Sequence, residues 1–365
     1  MSRINSVLFL AIALLAVSDF STAAVSYAVG TCKPSLPSYP TISAALAAVP
    51  VGATVLVCPG TYAEQVVITQ AVTLQGVSNG DSDQAVIAPP AGGLTNTTTD
   101  DFGDIVAYQV WINNASGRVN LSKLTIDGTG NGAGGLCSEY VAGVFYQNSS
   151  GTASQIATRN QKAGCGFGFY VEGGSANPSV TIENSSIHDY DFAGIYTETN
   201  SATSELTAII TGNDVSCAFT GIDFCGGILL QGGTTDTVTG NFVSSTFDGI
   251  GAAPSVTGSI SHNTVMNASE RGIGTGADAV SVTSNKIINA ISNNGSIGIF
   301  LYTAVGTIQS NSITNANAGI GFNCSLNPNV HSNTISDAGI GLVNVPSTVT
   351  TSNSYSNVGT IRSGC

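Results

Sequence analysis

The 365-residue chain carries 22 Asp plus Glu against nine Lys plus Arg, a formal charge of −13, and only 8% of its residues are charged. That balance excludes nucleic acid and anionic membrane surfaces as partners, since both need basic patches. Apolar residues reach 42% and recur in phase, so the chain is no low-complexity tail. Gly, Ser, Thr, Asn, Val and Ile dominate, which is a vocabulary of strands and tight corners.

Residues 1–24 read as an export signal. Arg3 is followed by an apolar run over 7–17 and then by small residues, with Thr22-Ala23-Ala24 at the cut and Ser26-Tyr27-Ala28 as a second option. No later segment reaches the roughly 18 uninterrupted apolar residues of a membrane span. The mature chain, 25–365, is therefore expected as one domain without a membrane span, secreted, periplasmic or at the cell surface. Eight cysteines in an exported chain point to four disulfides among Cys32, Cys58, Cys137, Cys165, Cys217, Cys225, Cys324 and Cys365. The sequence leaves the connectivity open; clustering favours Cys32 with Cys58, Cys137 with Cys165, Cys217 with Cys225, and Cys324 with Cys365. Zinc is disfavoured, because no Cys-x-x-Cys pair occurs.

A short amphipathic helix is predicted over 41–49, where Ile42, Ala45, Leu46 and Val49 share a face. It would cover the open strand edges of a first coil. A segment over 128–164 reads as a long insertion held by Cys137 and Cys165, and Lys123 takes the corner place of a weak repeat over 119–126. From there the repeat is plain. Asn184, Asn213, Asn241, Asn263, Asn285, Asn311 and Asn333 each sit between two apolar residues, at intervals of 29, 28, 22, 22, 26 and 22, with a weak last copy at Asn353. Each unit leads through a variable loop to Gly-Ile, at Gly194, Gly227, Gly249, Gly272, Gly298, Gly319 and Gly339. A strand of three to five residues cannot bury a face alone, but stacked coils pair each strand with its copies above and below. The fold class is therefore all-β, a parallel β-helix. Its Asn corners are expected to be left-handed, with amides bonded along the stack.

The opening 39–68, with Pro59-Gly60-Thr61-Tyr62 after the helix, resembles the first coil of right-handed β-helix proteins, a group that includes pectinesterases and pectate-lyase-like proteins. The repeats resemble those of the same pectin-lyase-like superfamily. The resemblance covers nearly all of the mature chain and implies a right-handed parallel β-helix, a scaffold that hosts lyases, hydrolases, esterases, epimerases and proteins without known chemistry. The families' catalytic motifs are absent. Gln84-Ala-Val-Ile and Asp101-Phe-Gly-Asp104 echo a pectinesterase without its arginine. The Asn-Thr-Asp, Gly-His-Gly and Arg-Ile-Lys motifs of polygalacturonases and the arginine-rich signature of pectate lyases do not occur.

The resemblance implies a site in the groove along the Gly-Ile strands. There, Asp189, Asp191, Asp223, Asp248 and Glu270 each precede a Gly-Ile. Asp191, Asp223 and Asp248 are candidate ligands for Ca²⁺, which takes several oxygens. Glu270 and Arg271 are candidate catalytic groups toward a uronic-acid unit. With Ile inward, Tyr196, Phe300 and Tyr302 point outward and are candidates for stacking on sugar rings. The alternatives are solvated loop acids and ordinary exposed aromatics. His188, His262 and His331 read as turn residues. The expected function is a carbohydrate-interacting β-helix acting on a polysaccharide or cell-surface glycan, as a lyase or hydrolase. The rival is a non-catalytic structural or adhesion β-helix. Scarce His and Met disfavour a third reading, metal handling.

Overall fold

A computed structural model describes residues 25–78, 84–132, 137, 139–162, 165–200, 205–217, 224–276, 279–291, 295–303, 306–324, 328–347, 349 and 351–365. The expected export signal and Asp223 lie outside these. The described residues form 34 strands and one helix. Short strands stack coil on coil into a parallel β-helix with three faces; among the described strands only Thr97–Thr99 pairs antiparallel, on Ile105–Asn113, and an isolated antiparallel bridge joins Gly174 to Glu205. Alternate residues point inward, so Ile195, Ile228, Ile250, Ile273, Ile299 and Ile320 stack in register at 0% exposure. Val180, Ala208, Asp236 and Gly258 stack likewise on the second face.

The helix runs Ile42–Ala48, with Thr41 as N-cap accepting from Ala44 N. Glu64 reaches across from the first coil, and its carboxylate accepts from Ile42 N at 2.8 Å and Ser43 N at 2.9 Å. Ile42 and Ala45 are buried against the core, which closes the first coil as expected.

The Gly of Gly-Ile is demanded by stacking. A Cβ on Gly249 would lie 2.4 Å from the Gly272 carbonyl oxygen and 2.4 Å from a Val265 methyl. The same contact links Gly143 to Gly168, Gly168 to Gly194, and Gly319 to Gly341. Two expectations are corrected by it. Residues 140–159 are no insertion but a full coil, with strands Tyr140–Gln147, Gly151–Ser154 and Ala157–Arg159 in register with their neighbours. This coil lacks the sequence mark of its neighbours, because Gly143-Val144 stands in place of Gly-Ile and Ile156 in place of the Asn. The last copy is Gly341-Leu342, not Gly339-Ile340, since Ile320 pairs with Leu342.

The corner also differs from expectation. The left-handed residue is the one before the Asn: Gly212, Gly240, His262, Ser284, Ser310 and Ser332 all have φ between 56° and 67°. Asn184 (φ 49°) and Lys123 (φ 55°) belong to that set, so Ser185 holds the place in line with the Asn row. Asn213, Asn241, Asn263, Asn285, Asn311 and Asn333 face inward, at most 2% exposed. From Asn241 to Asn333 each Oδ1 accepts from the backbone N–H and the Nδ2 of the Asn one coil back, as Asn263 does from Asn241 at 2.9 Å and 2.9 Å, while Asn213 accepts from Ser185 N. Each Nδ2 also donates to a carbonyl of the preceding coil, Asn263 to Val238 at 2.9 Å. A second, exposed row carries Asn267, Asn289 and Asn315.

The four disulfides are Cys32–Cys58, Cys137–Cys165, Cys217–Cys225 and Cys324–Cys365, the pairing that clustering favours. No helix among the described residues is long and apolar enough to cross a membrane.

The two Asn rows give a test. Asn263→Ala leaves the Asn241 backbone N–H without an acceptor inside the core and removes one acceptor of its amide, which keeps the Ile210 and Thr239 carbonyls. It is expected to cost about 3 kcal/mol in chemical denaturation, at one to three for each buried group left unpaired. Asn289→Ala, on the exposed row, is expected to cost less than about 1 kcal/mol.

Candidate functional site

Stacking of the Gly-Ile sheet places one outward residue per coil in a line: Trp111, Phe145, Tyr170, Tyr196, Leu229, Gly251, Gly274, Phe300 and Gly321. Two residues further along each strand runs a second line, which includes Asn113, Gln147, Glu172 and Glu198. The two lines meet a loop that changes their character. The turn at 100–104, between Thr97–Thr99 and Ile105–Asn113, folds over the outer face. Asp100 organises it, accepting from Phe102 N at 3.0 Å and Asp104 N at 2.8 Å. Beneath it Phe145 and Tyr170 are 0% exposed and stack on each other with ring centroids 4.5 Å apart.

The carboxylates of Asp100, Glu172 and Glu198 converge there. The Tyr170 hydroxyl lies 2.9 Å from Asp100 Oδ2 and also contacts Glu198 Oε1. Tyr196 donates to Glu198 Oε2 at 3.0 Å. Glu172 accepts from Asp101 N and, at 2.8 Å, from Gln147 Nε2. One hydroxyl carries one hydrogen, so Tyr170 can donate to only one carboxylate, and its other contact requires a proton on the acid. Burial, reinforced by the charges of Asp100 and Asp104, pushes Glu198 up to about 7 against the opposing Tyr170 and Tyr196 hydroxyls. Burial and the charges of Asp101 and Asp100 push Glu172 up to about 8.

Glu198 opens on a cavity of about 640 Å³ whose walls include Asp104, Tyr140, Phe167, Phe192, Tyr196 and Gln231. No Lys, Arg or His lines it among the described residues. Gln231 also lines a second cavity of about 330 Å³, floored by Gly251 and Gly274 and flanked by Tyr302 and Arg271. Arg271 in turn lines a third of about 340 Å³, with Phe247, Glu270 and Phe300. The cavities share Gln231 and Arg271 as walls and so follow one another along the stack as a groove, with aromatic rings at both ends and the outward glycines Gly251 and Gly274 between.

All three aromatics expected to meet sugar, Tyr196, Phe300 and Tyr302, line this groove. Phe300 and Tyr302 meet edge to face with centroids 4.6 Å apart. Glu270, Arg271 and Asp248 come together: Arg271 grips Asp248 through Nε at 2.7 Å and Nη2 at 2.8 Å, approaches Glu270 at 3.1 Å, and lies 5.0 Å above the Tyr302 ring. Arg271, not Glu270, stacks in register on Asp248. Asp191 lies apart from them. It stands two residues before Ala193, while Asp248 begins its own strand, and it accepts from Gly166 N at 2.5 Å. Among the described residues no three His, Cys, Asp or Glu side chains are grouped to hold a metal ion.

The Asp100–Glu198 cluster is what the sequence reading missed. A signal existed: Tyr170-Val-Glu172 and Tyr196-Thr-Glu198 repeat aromatic-x-acid one coil apart, in register. Following the outward line two residues past Tyr196 reaches Glu198.

A family model described as a right handed beta helix region matches residues 142–290. The chain folds as a right-handed parallel β-helix. This β-helix superposes on the catalytic domain of Agl-KA with a TM-score of 0.52 and 14% identity, covering 87% of this chain and 64% of that one. It therefore spans a little under two thirds of that structure. A mannuronic acid specific polysaccharide family 6 lyase from human gut microbiota gives a TM-score of 0.51 at 11% identity, covering 90% of this chain and 82% of the lyase. Likeness at such identity is likeness of fold. The sequence matches no curated protein.

The buried acids set a pH dependence. Glu172 and Glu198 bind a proton more tightly in the folded β-helix than at the ordinary value of 4.5. Their contribution to stability is therefore fully present below about pH 4.5 and is lost as pH rises through about 7 to 8. The melting temperature is expected to fall between pH 5 and pH 8.5, and Glu172→Gln to flatten that slope. An equal slope in wild type and variant, read by differential scanning calorimetry, contradicts the assignment.

Proposed function

We propose that this β-helix is a glycoside hydrolase acting on an uncharged glycan, with Glu198 as proton donor. The observation that carries the reading is a carboxyl held near 7, bonded to two tyrosines, in a cavity walled by aromatic rings. A general acid must be protonated at working pH, and burial is how a glutamate achieves it. In the proposed step Glu198 gives its proton to the glycosidic oxygen as the bond to the anomeric carbon breaks. Water adds at that carbon, and its proton passes to Asp104, the exposed carboxylate on the facing loop. Tyr196 and Phe192 offer faces for the apolar side of sugar rings.

Charge favours this over the lyase reading. Elimination from a uronic acid needs a cation to neutralise the substrate carboxylate. The groove's one cation among its lining residues, Arg271, is already committed to Asp248 and Glu270. A uronate would meet uncompensated acids at Glu198. The non-catalytic spacer reading is weakened because a uniform stack has no use for carboxyls gathered under one loop. Four disulfides are compatible with the oxidising surroundings of a secreted or periplasmic protein meeting a cell-surface glycan.

The experiment is a panel of neutral and uronate polysaccharides read for new reducing ends, with and without Ca²⁺, the ion expected at Asp191, Asp223 and Asp248. Cleavage is expected on a neutral glycan, with kcat falling as pH rises past about 7. Glu198→Gln is expected to lower kcat by 10²-fold or more, the usual worth of a general acid. Wild-type turnover in Glu198→Gln, or release of unsaturated products from a uronate, overturns the assignment.

A further inference from the structure

The groove has one closed end. On the coils before Tyr196 the outward line continues as Tyr170 and Phe145, but both are fully buried beneath the loop at 100–104. That loop is pinned from below. Tyr170 bonds Asp100, Glu172 accepts from Asp101 N, and Asn200 donates to Asp101 O. A small apolar core of Val106, Ala142, Phe145 and Phe167 fills the space behind it. Glu198 therefore sits where the groove stops. In the other direction the outward line runs Leu229, Gly251, Gly274 and Phe300, which line the second and third cavities. Tyr196 to Phe300 is four coil steps, ~19 Å at one strand spacing each, a length for about four pyranose rings.

We infer that the protein acts from a chain end, taking the terminus of a linear neutral glycan into the cavity at Glu198 while the chain behind it lies along the glycine floor to Phe300 and Tyr302. The inference rests on the hydrolase reading and adds to it a direction and a length. A chain threading past Glu198 both ways would have to displace the 100–104 loop and the ring of Tyr140. An end needs no such displacement. The small residues at Gly251 and Gly274 fit the same picture. Arg271 and Tyr302 lean over Gly274, where a Cβ would meet them at 3.3 Å and 3.4 Å, while a Cβ on Gly251 would meet only Leu229, at 3.0 Å, so the open stretch of floor is at Gly251.

The test uses linear hexasaccharides of glucose, xylose and mannose labelled at the reducing end, and long polymers of the same sugars. On the hexasaccharide that is cut, the expected time course steps down by one fixed product size from the first time point. Binding of Glu198→Gln to the polymer, by calorimetry, is expected to saturate at no more than one protein per chain terminus. Phe300→Ala is expected to weaken hexasaccharide binding roughly tenfold while leaving a disaccharide unaffected, which a merely structural role would not do. A random spread of product sizes from the start, with many proteins bound along each polymer, overturns the chain-end inference and leaves the hydrolase reading standing. No cleavage and no binding of any of these glycans overturns the hydrolase reading, and the inference with it.

Discussion

Everything in this molecule depends on the hydrogen bonds that run through the Asn row. Stacked strands satisfy their own backbones, but a corner leaves polar groups facing the core. There they cost about 1–3 kcal/mol each if unpaired. The inward Asn accepts at Oδ1 from the N–H and amide of the coil behind and donates its Nδ2 to a carbonyl, so the corners are paired from Asn213 to Asn333. The coils are then locked in register, and every outward side chain inherits an address along the stack. The groove exists because those addresses were filled with glycine in the middle and aromatics at the ends.

The period was legible because Gly-Ile is forced on both its residues. The Ile fills the core, and the Gly lies against the next coil's carbonyl. The Asn row was legible too, but its geometry was misassigned by one residue. An Asn at a corner invites the left-handed assignment, and Asn184 does adopt it. The buried Asn residues avoid it because they must aim their amides along the stack, leaving the strained angle to Gly212, His262 or Ser284. The coil at 140–159 was hidden for a related reason. Its corner is apolar, and pattern recognition keyed on Asn passes over Ile156.

The site was half visible. Tyr196, Phe300 and Tyr302 follow from counting outward positions on the Gly-Ile strands, and Arg271 from standing beside Glu270 just before one of them. The acids do not, because Asp100 and Glu198 are 98 positions apart in sequence and meet only when the 97–107 hairpin folds onto the outer face. A loop acid near a Gly-Ile looks the same in sequence whether it lies beside Arg271, as Asp248 does, or beneath a backbone amide, as Asp191 does. What separates a solvated carboxylate from a protonated one is the roof above it, and roofs are built from distant segments.

The same roof gives the protein an optical reporter. Trp111 is the chain's sole tryptophan. Its indole N–H donates to Gln147 Oε1 at 3.0 Å, and the Gln147 amide donates to Glu172. An indole is sensitive to charge near its ring, and here a rigid amide couples it to an acid that gains its charge near pH 8. Intrinsic emission therefore registers ionisation beneath the loop in the unlabelled protein, and any glycan that alters that ionisation changes the same light.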